Sequence, residues 1–560
     1  MTRRRTEPPP ALAPAPGRSR RRHQPAAIPE VADGGYAAPA FRPRASAVIA
    51  APIIAILLYL PSLQNPLVWD DELHVPAARD QTLTELLQTS NGQYSRPVVL
   101  LSYAAQARIG ADSAAALHAA NVLMHAVNAG LLALLALRVG VAPAAAAAAA
   151  ILFAAHPLSS AAVAYVSGRT DLLAALFTIA AAHVALSATR IGAAAAAGAA
   201  GLLVVLASLS KETGVMAGAI VALLWWHRPA EYGGVRRPVP AAVMIAASLA
   251  AVVALMAVAP PALGEKVGAW LRLRGAGTAL ATFASLLAWP RDLHLDRLTA
   301  TGGDWAAFLG LAFLAAALAI LVSFLRYRTA TWLAATAAIA LYLPAAGVAP
   351  VYPKIAERLV FTGEQFLYLP LAPLAVLFAA AAAEAARRVR AAATGVATLS
   401  VSVLLAALWT PSVLARQHQL GDAERVYTAT LASSPSPRAC FNLGNLYLAR
   451  REPARAAATY EQCAAMAPND AETFGQLAIA YQSMRRHDDA RRAYERALEL
   501  DADNALLWSN LATLDANQQR YEEARRKWQR ALELDPDFAP ARQALERIGT
   551  VIAPRDRPGP

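Results

Sequence analysis

The sequence predicts an all-α protein in two parts: a polytopic membrane domain of about eleven helical spans, then an α-solenoid. Three observations carry this. Hydrophobic residues make up 57% of the 560 and charged residues only 16%, against about 25% charged in soluble domains. Apolar runs recur at 46–63, 117–137, 141–155, 171–189, 193–209, 213–226, 239–259, 305–325, 329–346, 366–386 and 393–410. Many approach the roughly 20 residues that cross a bilayer as a helix. Beyond residue 411 the chain turns charged and resembles itself every 34 residues.

Residues 1–45 are rich in Pro, Arg and Ala and carry nine Arg against three acids. Such a segment cannot bury a core and is expected to be a disordered tail. Its arginines hold it in the cytoplasm. No small-residue cleavage pattern follows the run at 46–63, which therefore reads as an uncleaved anchor. Arg138, Arg190, the arginines of 228–237, Arg326 with Arg328, and Arg387, Arg388 with Arg390 then fall in alternate loops. That regularity sets the expected topology: a membrane domain at 46–411 with its C-terminal end outside. The short apolar stretch 276–290 would reverse every later loop if it spanned, so it is expected to be re-entrant or interfacial.

Residues 412–549 repeat with the tetratricopeptide period, and 550–560 read as a second disordered tail. Equivalent positions are Leu443/Leu477/Leu511, Gly444/Ala478/Ala512, Ala456/Ala490/Ala524, Tyr460/Tyr494/Trp528 and Cys463/Ala497/Ala531. Small residues let paired helices approach, and the aromatic fills the groove between them. Ala423, Tyr427, Thr430 and Pro435 mark a preceding half-copy, and 538–549 a capping helix. From 412 onward there are 20 basic and 20 acidic residues, so a basic nucleic-acid surface is not expected. Cys440 and Cys463 belong to no metal framework. They face each other across one predicted hairpin, where a disulfide and two buried thiols are both open.

The polar residues of the apolar part gather on its predicted outer side. Asp70-Asp71-Glu72 follows the first run, either as a solvated acidic turn or as the source of a general base at the membrane surface. His156 precedes Arg169 and Asp171, which read as an interfacial pair or as site residues. Lys211-Glu212 lies at the bilayer rim, where ionisable groups usually face a cavity; a snorkelling lysine paired with its neighbour is the plainer account. Arg96, the Lys354–Arg358 stretch and Glu364 with Tyr368 complete the set. Carboxylates and cations at one face suit transfer from a phosphate-linked donor, the base taking the acceptor's proton and the cations holding the leaving phosphate. His118 and His125 share a helix face and read as packing or hydrogen-bonding residues. No Walker loop, GxGxxG, HExxH or nucleophile elbow occurs.

Several segments together resemble the transmembrane and tetratricopeptide-repeat O-mannosyltransferases, a branch of the GT-C glycosyltransferases. They are Tyr59-Leu-Pro-Ser-Leu-Gln-Asn65 leading into Trp69-Asp70-Asp71, Ser95-Arg96-Pro97, and His118-Ala-Ala-Asn121-Val-Leu-Met-His125. His156-Pro157, Val166-Ser-Gly168-Arg169-Thr-Asp171, Ser210-Lys211-Glu212-Thr213 and Tyr368-Leu-Pro370 follow. The resemblance implies inverting transfer of mannose or a similar hexose from a polyprenyl-phosphate donor to a hydroxyl, that of Ser or Thr of a protein. It implies Asp71 as base with Asp70 beside it, and Lys211, Arg358, Arg96 and Arg169 as phosphate-binding cations. Glu72, His156, Asp171, Glu212, Glu364 and Tyr368 support them. One departure stands out: where the family shows Glu-Arg before Tyr-Leu-Pro, this chain has Glu364-Gln365, and Glu357-Arg358 comes seven residues earlier. Alanine-rich spans and Arg over Lys suggest a bacterial inner membrane, with the repeats periplasmic and reading a protein or peptide acceptor. No cofactor is implied, and a divalent metal is left open. The alternative is a membrane-anchored repeat scaffold without catalysis. A transporter would place charges at mid-membrane.

Overall fold

The computed structural model describes residues 45–80, 96–227, 268–327, 329–343, 359–388 and 394–552, and with them 82, 85, 243, 244, 246, 247, 250, 355 and 356. These residues are helical apart from one small sheet. Helix α1 (Ala45–Tyr59) leads into an acidic turn and α2 (Asp71–Asp80). Then come α3 (Pro97–Arg108), α4 (Ala114–Arg138), α5 (Pro143–Ala155), α6 (Arg169–Ala185), α7 (Ala193–Ser210) and α8 (Ala217–His227). The apolar part closes with α9 (Ala269–Ala288), α10 (Asp304–Tyr327), α11 (Ala330–Tyr342), α12 (Tyr368–Arg388) and α13 (Thr394–Leu420).

Helix α5 is the centre of this part. Its alanine run gives it almost no side-chain bulk, and every residue from Ala145 to Ala155 is buried. Close backbone approach of this kind is what small residues allow, and α1, α4, α12 and α13 all pack on it. Strands β1 (Leu298–Ala300), β2 (Ile355–Ala356) and β3 (Leu359–Phe361) form an antiparallel sheet in the order β1-β3-β2, with Leu298 opposite Phe361.

Six described helices are long and apolar enough to cross a bilayer: Ala47–Gln64, Ala114–Arg138, Ala193–Ser210, Asp304–Tyr327, Glu364–Arg388 and Gly395–Leu420. A seventh arises if α5 and the segment Pro157–Val163, bent by 54°, count together. Three of the eleven predicted runs instead form the shorter helices α6, α8 and α11. For two of them the reason is local: Arg138 donates to the His183 and Leu186 carbonyls at the end of α6, and a 3-10 turn, Glu212–Met216, precedes α8. The run at 239–259 lies mostly outside the described residues. The stretch 276–290, expected to be re-entrant or interfacial, is mostly helical. Its residues 276–288 belong to α9, an unbroken helix of 20 residues, whose Gly277 meets Gly310 and the Ala306 carbonyl of α10 with no room for a Cβ.

Helix α13 passes residue 411 without a break, Pro411 included. Its charged end pairs with α14 (Ala423–Ser433) and so supplies the first helix of the half-copy. The hairpins α15 (Pro437–Ala449) with α16 (Pro453–Met466), α17 (Ala471–Ser483) with α18 (His487–Leu500), and α19 (Ala505–Asn517) with α20 (Tyr521–Leu534) follow, and α21 (Ala539–Ile552) covers Trp528. The equivalent positions of the three full copies are buried, Tyr460 and Tyr494 among the most enclosed side chains. A disulfide joins Cys440 and Cys463 across α15–α16, their Cα atoms 5.6 Å apart.

Candidate functional site

The polar face of the apolar part meets the first repeat directly. Asn65 Nδ2 donates to the Gln417 carbonyl at 3.1 Å, the Trp69 and Tyr427 rings lie 5.2 Å apart, and the Leu298 N–H donates to Ser434 Oγ at 2.8 Å. Ser436, which caps α15 by accepting from the Ala439 N–H at 3.0 Å, donates to Asp296. Arg438 Nη2 binds Asp70 Oδ1 at 2.9 Å and stands 5.5 Å from the Trp69 ring centroid. Trp69 holds a left-handed φ of +57°. Such strain in a bulky residue costs about 1–3 kcal/mol and persists where surroundings enforce it. Here it turns the chain so that two successive acids point different ways.

Asp70 faces the junction, its side chain 39% exposed, and its N–H donates to the Tyr165 hydroxyl at 3.2 Å. Asp71 is fully buried. Its Oδ1 accepts from the Ser167 N–H at 2.6 Å, and Oδ2 from the Val68 and Val166 N–H groups, both at 3.3 Å. Burial pushes this carboxyl up to about 7 against those donors. Asp71 therefore clasps the first outer segment to the 165–167 turn, and Asp70 is the acid that a bound molecule would meet. Glu72 is exposed on the first turn of α2.

Three of the four predicted phosphate-binding cations are engaged. Lys211 Nζ binds Asp171 Oδ1 at 2.6 Å, both buried, and sits 5.1 Å from the Phe366 ring. Burial lowers its ammonium pKa while Asp171 opposes this. Arg96 grips Glu212 with two bonds, at 3.1 and 3.3 Å. Arg169, 1% exposed, is held by neutral acceptors: Asn121 Oδ1 at 2.9 Å, Gln106 Oε1 at 2.7 Å, Ser102 Oγ at 3.3 Å and the Leu117 carbonyl at 3.0 Å. It reads as a structural cation. Arg358, Glu357 and Lys354 lie outside the described residues.

His156 is a cap: its Nδ1 accepts from the Leu158 N–H at 3.2 Å, and its ring meets that of Trp409 at 4.5 Å, tilted by 56°. The Tyr368 hydroxyl is 2.8 Å from His125 Nδ1 and 3.3 Å from Asn128 Nδ2, locking α12 to α4. Glu364 is buried and accepts from Arg416 Nε at 3.0 Å. Arg416 on α13 thus stands against the acid whose expected sequence neighbour, an arginine, is Gln365 here. Neither Arg416 nor Arg438 was legible as a site residue, since each lies past the composition change. Among the described residues no three His, Cys, Asp or Glu side chains are grouped to hold a metal ion.

Two cavities lie in the apolar part. One of about 250 Å³ is lined by Val75, Pro76, Arg79, Tyr103, Asp112 and Leu117. The other, about 80 Å³, is apolar and runs between Leu132, Ile179, Leu224, Leu333, Leu369 and Val376.

Tetratricopeptide-repeat family models match residues 412–471, 471–504 and 505–538. The C-terminal part is therefore a tetratricopeptide-repeat array, a module for protein interaction. No curated protein matches the chain. Among solved structures, the crystal structure of MamA is 20% identical, with a TM-score of 0.22, covering 23% of this chain and 76% of its own. The Arabidopsis OM64 TPR domain is 21% identical with a TM-score of 0.20, covering 21% and 96%. The first TPR of Spaghetti (RPAP3), bound to an HSP90 peptide, is 22% identical with a TM-score of 0.21, covering 21% and 94%.

Proposed function

We propose that this chain is an integral membrane glycosyltransferase. It moves mannose or a similar hexose from a polyprenyl-phosphate donor to a Ser or Thr hydroxyl of a protein, on the outer face of a bacterial inner membrane. The observation that carries the reading is the pairing of Asp70 with Arg438. An accessible carboxylate at the end of an apolar helix is held by the first residues of a protein-interaction array, so a peptide on the repeats and a lipid-linked sugar can meet there.

In this reading Asp70 is the base. Arg438 holds Oδ1, and Oδ2 takes the acceptor hydroxyl's proton. The acceptor oxygen attacks the anomeric carbon from the face opposite the phosphate, the carbon–oxygen bond to phosphate breaks, and the configuration inverts. Cations stabilise the departing phosphate. Purified protein supplied with a polyprenyl-phospho-mannose and an acceptor peptide tests this: wild type should transfer sugar and Asp70→Asn should not.

The repeat match alone favours a second reading, a membrane-anchored scaffold. A protein that captures a partner through its repeats yet transfers no sugar from any polyprenyl-phosphate donor would establish it.

A further inference from the structure

The loop between α9 and β1 reads Trp289-Pro-Arg-Asp292-Leu-His294-Leu-Asp296-Arg297. Asp292 takes a positive φ of +51°. That turn lets its carbonyl accept from His294 Nδ1 at 2.6 Å and from Arg297 Nη2. The Arg297 carbonyl accepts from the Thr362 N–H at 2.8 Å, and the Thr299 and Thr362 hydroxyls bond at 2.7 Å. The loop is thereby latched two residues from Glu364. At its other side Asp296 holds Ser436, two residues from Arg438. It lies between Glu364 and the Asp70–Arg438 pair.

Three buried atoms here have no hydrogen-bond partner: His294 Nε2, Arg297 Nε and Glu364 Oε2. His294 is 1% exposed and Glu364 fully enclosed, and Arg297 lies within electrostatic reach of Glu364. Buried polar groups are ordinarily paired. With Nδ1 donating to a carbonyl, Nε2 of the neutral imidazole is an acceptor; Glu364 Oε2 is a second. Arg297 Nε is a charged donor. One charged donor beside two acceptors complements an anionic ester flanked by hydroxyls. Lys211, Arg96, Arg416 and Arg438 are each already bound to a carboxylate.

We propose that His294, Arg297 and Glu364 form the seat for the glycosyl-phosphate head of the lipid-linked donor. Arg297 Nε donates to a phosphate oxygen, and His294 Nε2 and Glu364 Oε2 accept from sugar hydroxyls. The assignment rests on the glycosyltransferase reading and names the donor subsite within it. Trp289, 62% exposed with Arg291 at 4.5 Å from its ring, gives the loop the aromatic and cationic character of a lipid headgroup region.

Calorimetric titration of the full chain with farnesyl phosphate and with farnesyl-phospho-mannose tests it. Arg297→Ala should weaken both by about tenfold or more, and Arg297→Lys, which keeps the charge, should bind with intermediate affinity. His294→Ala should weaken only the mannosyl ligand. Arg326→Ala, on the exposed end of α10, should change neither. Wild-type affinity for both ligands in Arg297→Ala and Arg297→Lys would overturn the seat while leaving the transferase reading in place. Equal losses for the two ligands in His294→Ala would overturn the sugar contact. A wild-type protein that binds neither would overturn both the seat and the reading.

Discussion

Asp70 and Asp71 are alike in sequence, and only the loop fold separates their roles. The resemblance favours Asp71 as base, but its two oxygens accept three backbone N–H bonds and reach no solvent. Asp70→Asn should therefore lower turnover by roughly 10²–10⁴-fold, the usual contribution of a general base, and Asp71→Asn by less. Steady-state assays of both variants decide the order. Asp71 should show itself in stability instead. Its carboxyl titrates near 7 in the fold and near 4 in an unfolded chain. The folded state then binds the proton more tightly, so this contribution is full below about pH 4 and falls away as pH rises through 7, by about 4 kcal/mol at most. Melting curves from pH 4 to 8 should slope less in Asp71→Asn than in wild type, and parallel slopes would refute the account. Lys211 was read from its place at a helix end, which marks a polar residue as needing a partner without saying which. The structure supplies Asp171. Lys211→Ala should thus cost about 3–5 kcal/mol by stranding a buried carboxylate, much of it recovered in Lys211→Met with Asp171→Leu, as unfolding in detergent would measure.

Repeat elements were legible almost to the residue, because a 34-residue period states the same packing rule several times and each copy checks the others. The apolar helices were legible as elements but not at their boundaries. Hydropathy sees an apolar run and cannot see Arg138 closing α6 or a 3-10 turn delaying α8. Nor can it distinguish a short buried helix such as α5 from a spanning one, since alanine serves both. Helix α13 shows the same limit: composition changes at residue 411, yet backbone bonding carries on to Leu420. Two predictions belong here. Gly277→Leu should destabilise the α9–α10 pair by about 1–3 kcal/mol through overpacking, seen as a lower melting temperature, whereas Gly268→Leu, with open space around it, should not. The Cys440–Cys463 bridge closes a loop with a separation of 23 residues. Loop-closure entropy then gives about 3 kcal/mol, so the double serine variant should melt earlier, and a thiol count on denatured, unreduced wild type should be zero.

At the scale of the molecule, the two parts were legible separately and their docking was not. The contacts that join them, Asn65 with Gln417, Asp70 with Arg438 and Asp296 with Ser436, link residues from 140 to 368 positions apart, and no local pattern reports such pairs. Docking constrains topology more firmly than counting apolar runs does. If the chain spans a bilayer, α1 crosses before Asp70, and the repeats share the side of Asp70. An odd number of crossings must then separate the tail from the repeats, whichever of the short helices cross. Eleven spans satisfy this; were α9 also to cross, another run would have to stay on one side. Leu73 on α2 is 60% exposed and Asp537 beyond α20 is fully exposed, while both native cysteines are joined to each other. Single cysteines at these two positions should both react with a membrane-impermeant maleimide added to spheroplasts. Labelling of one from outside and of the other only after lysis would place the repeats across the membrane from Asp70, and the shared site would fall with that result.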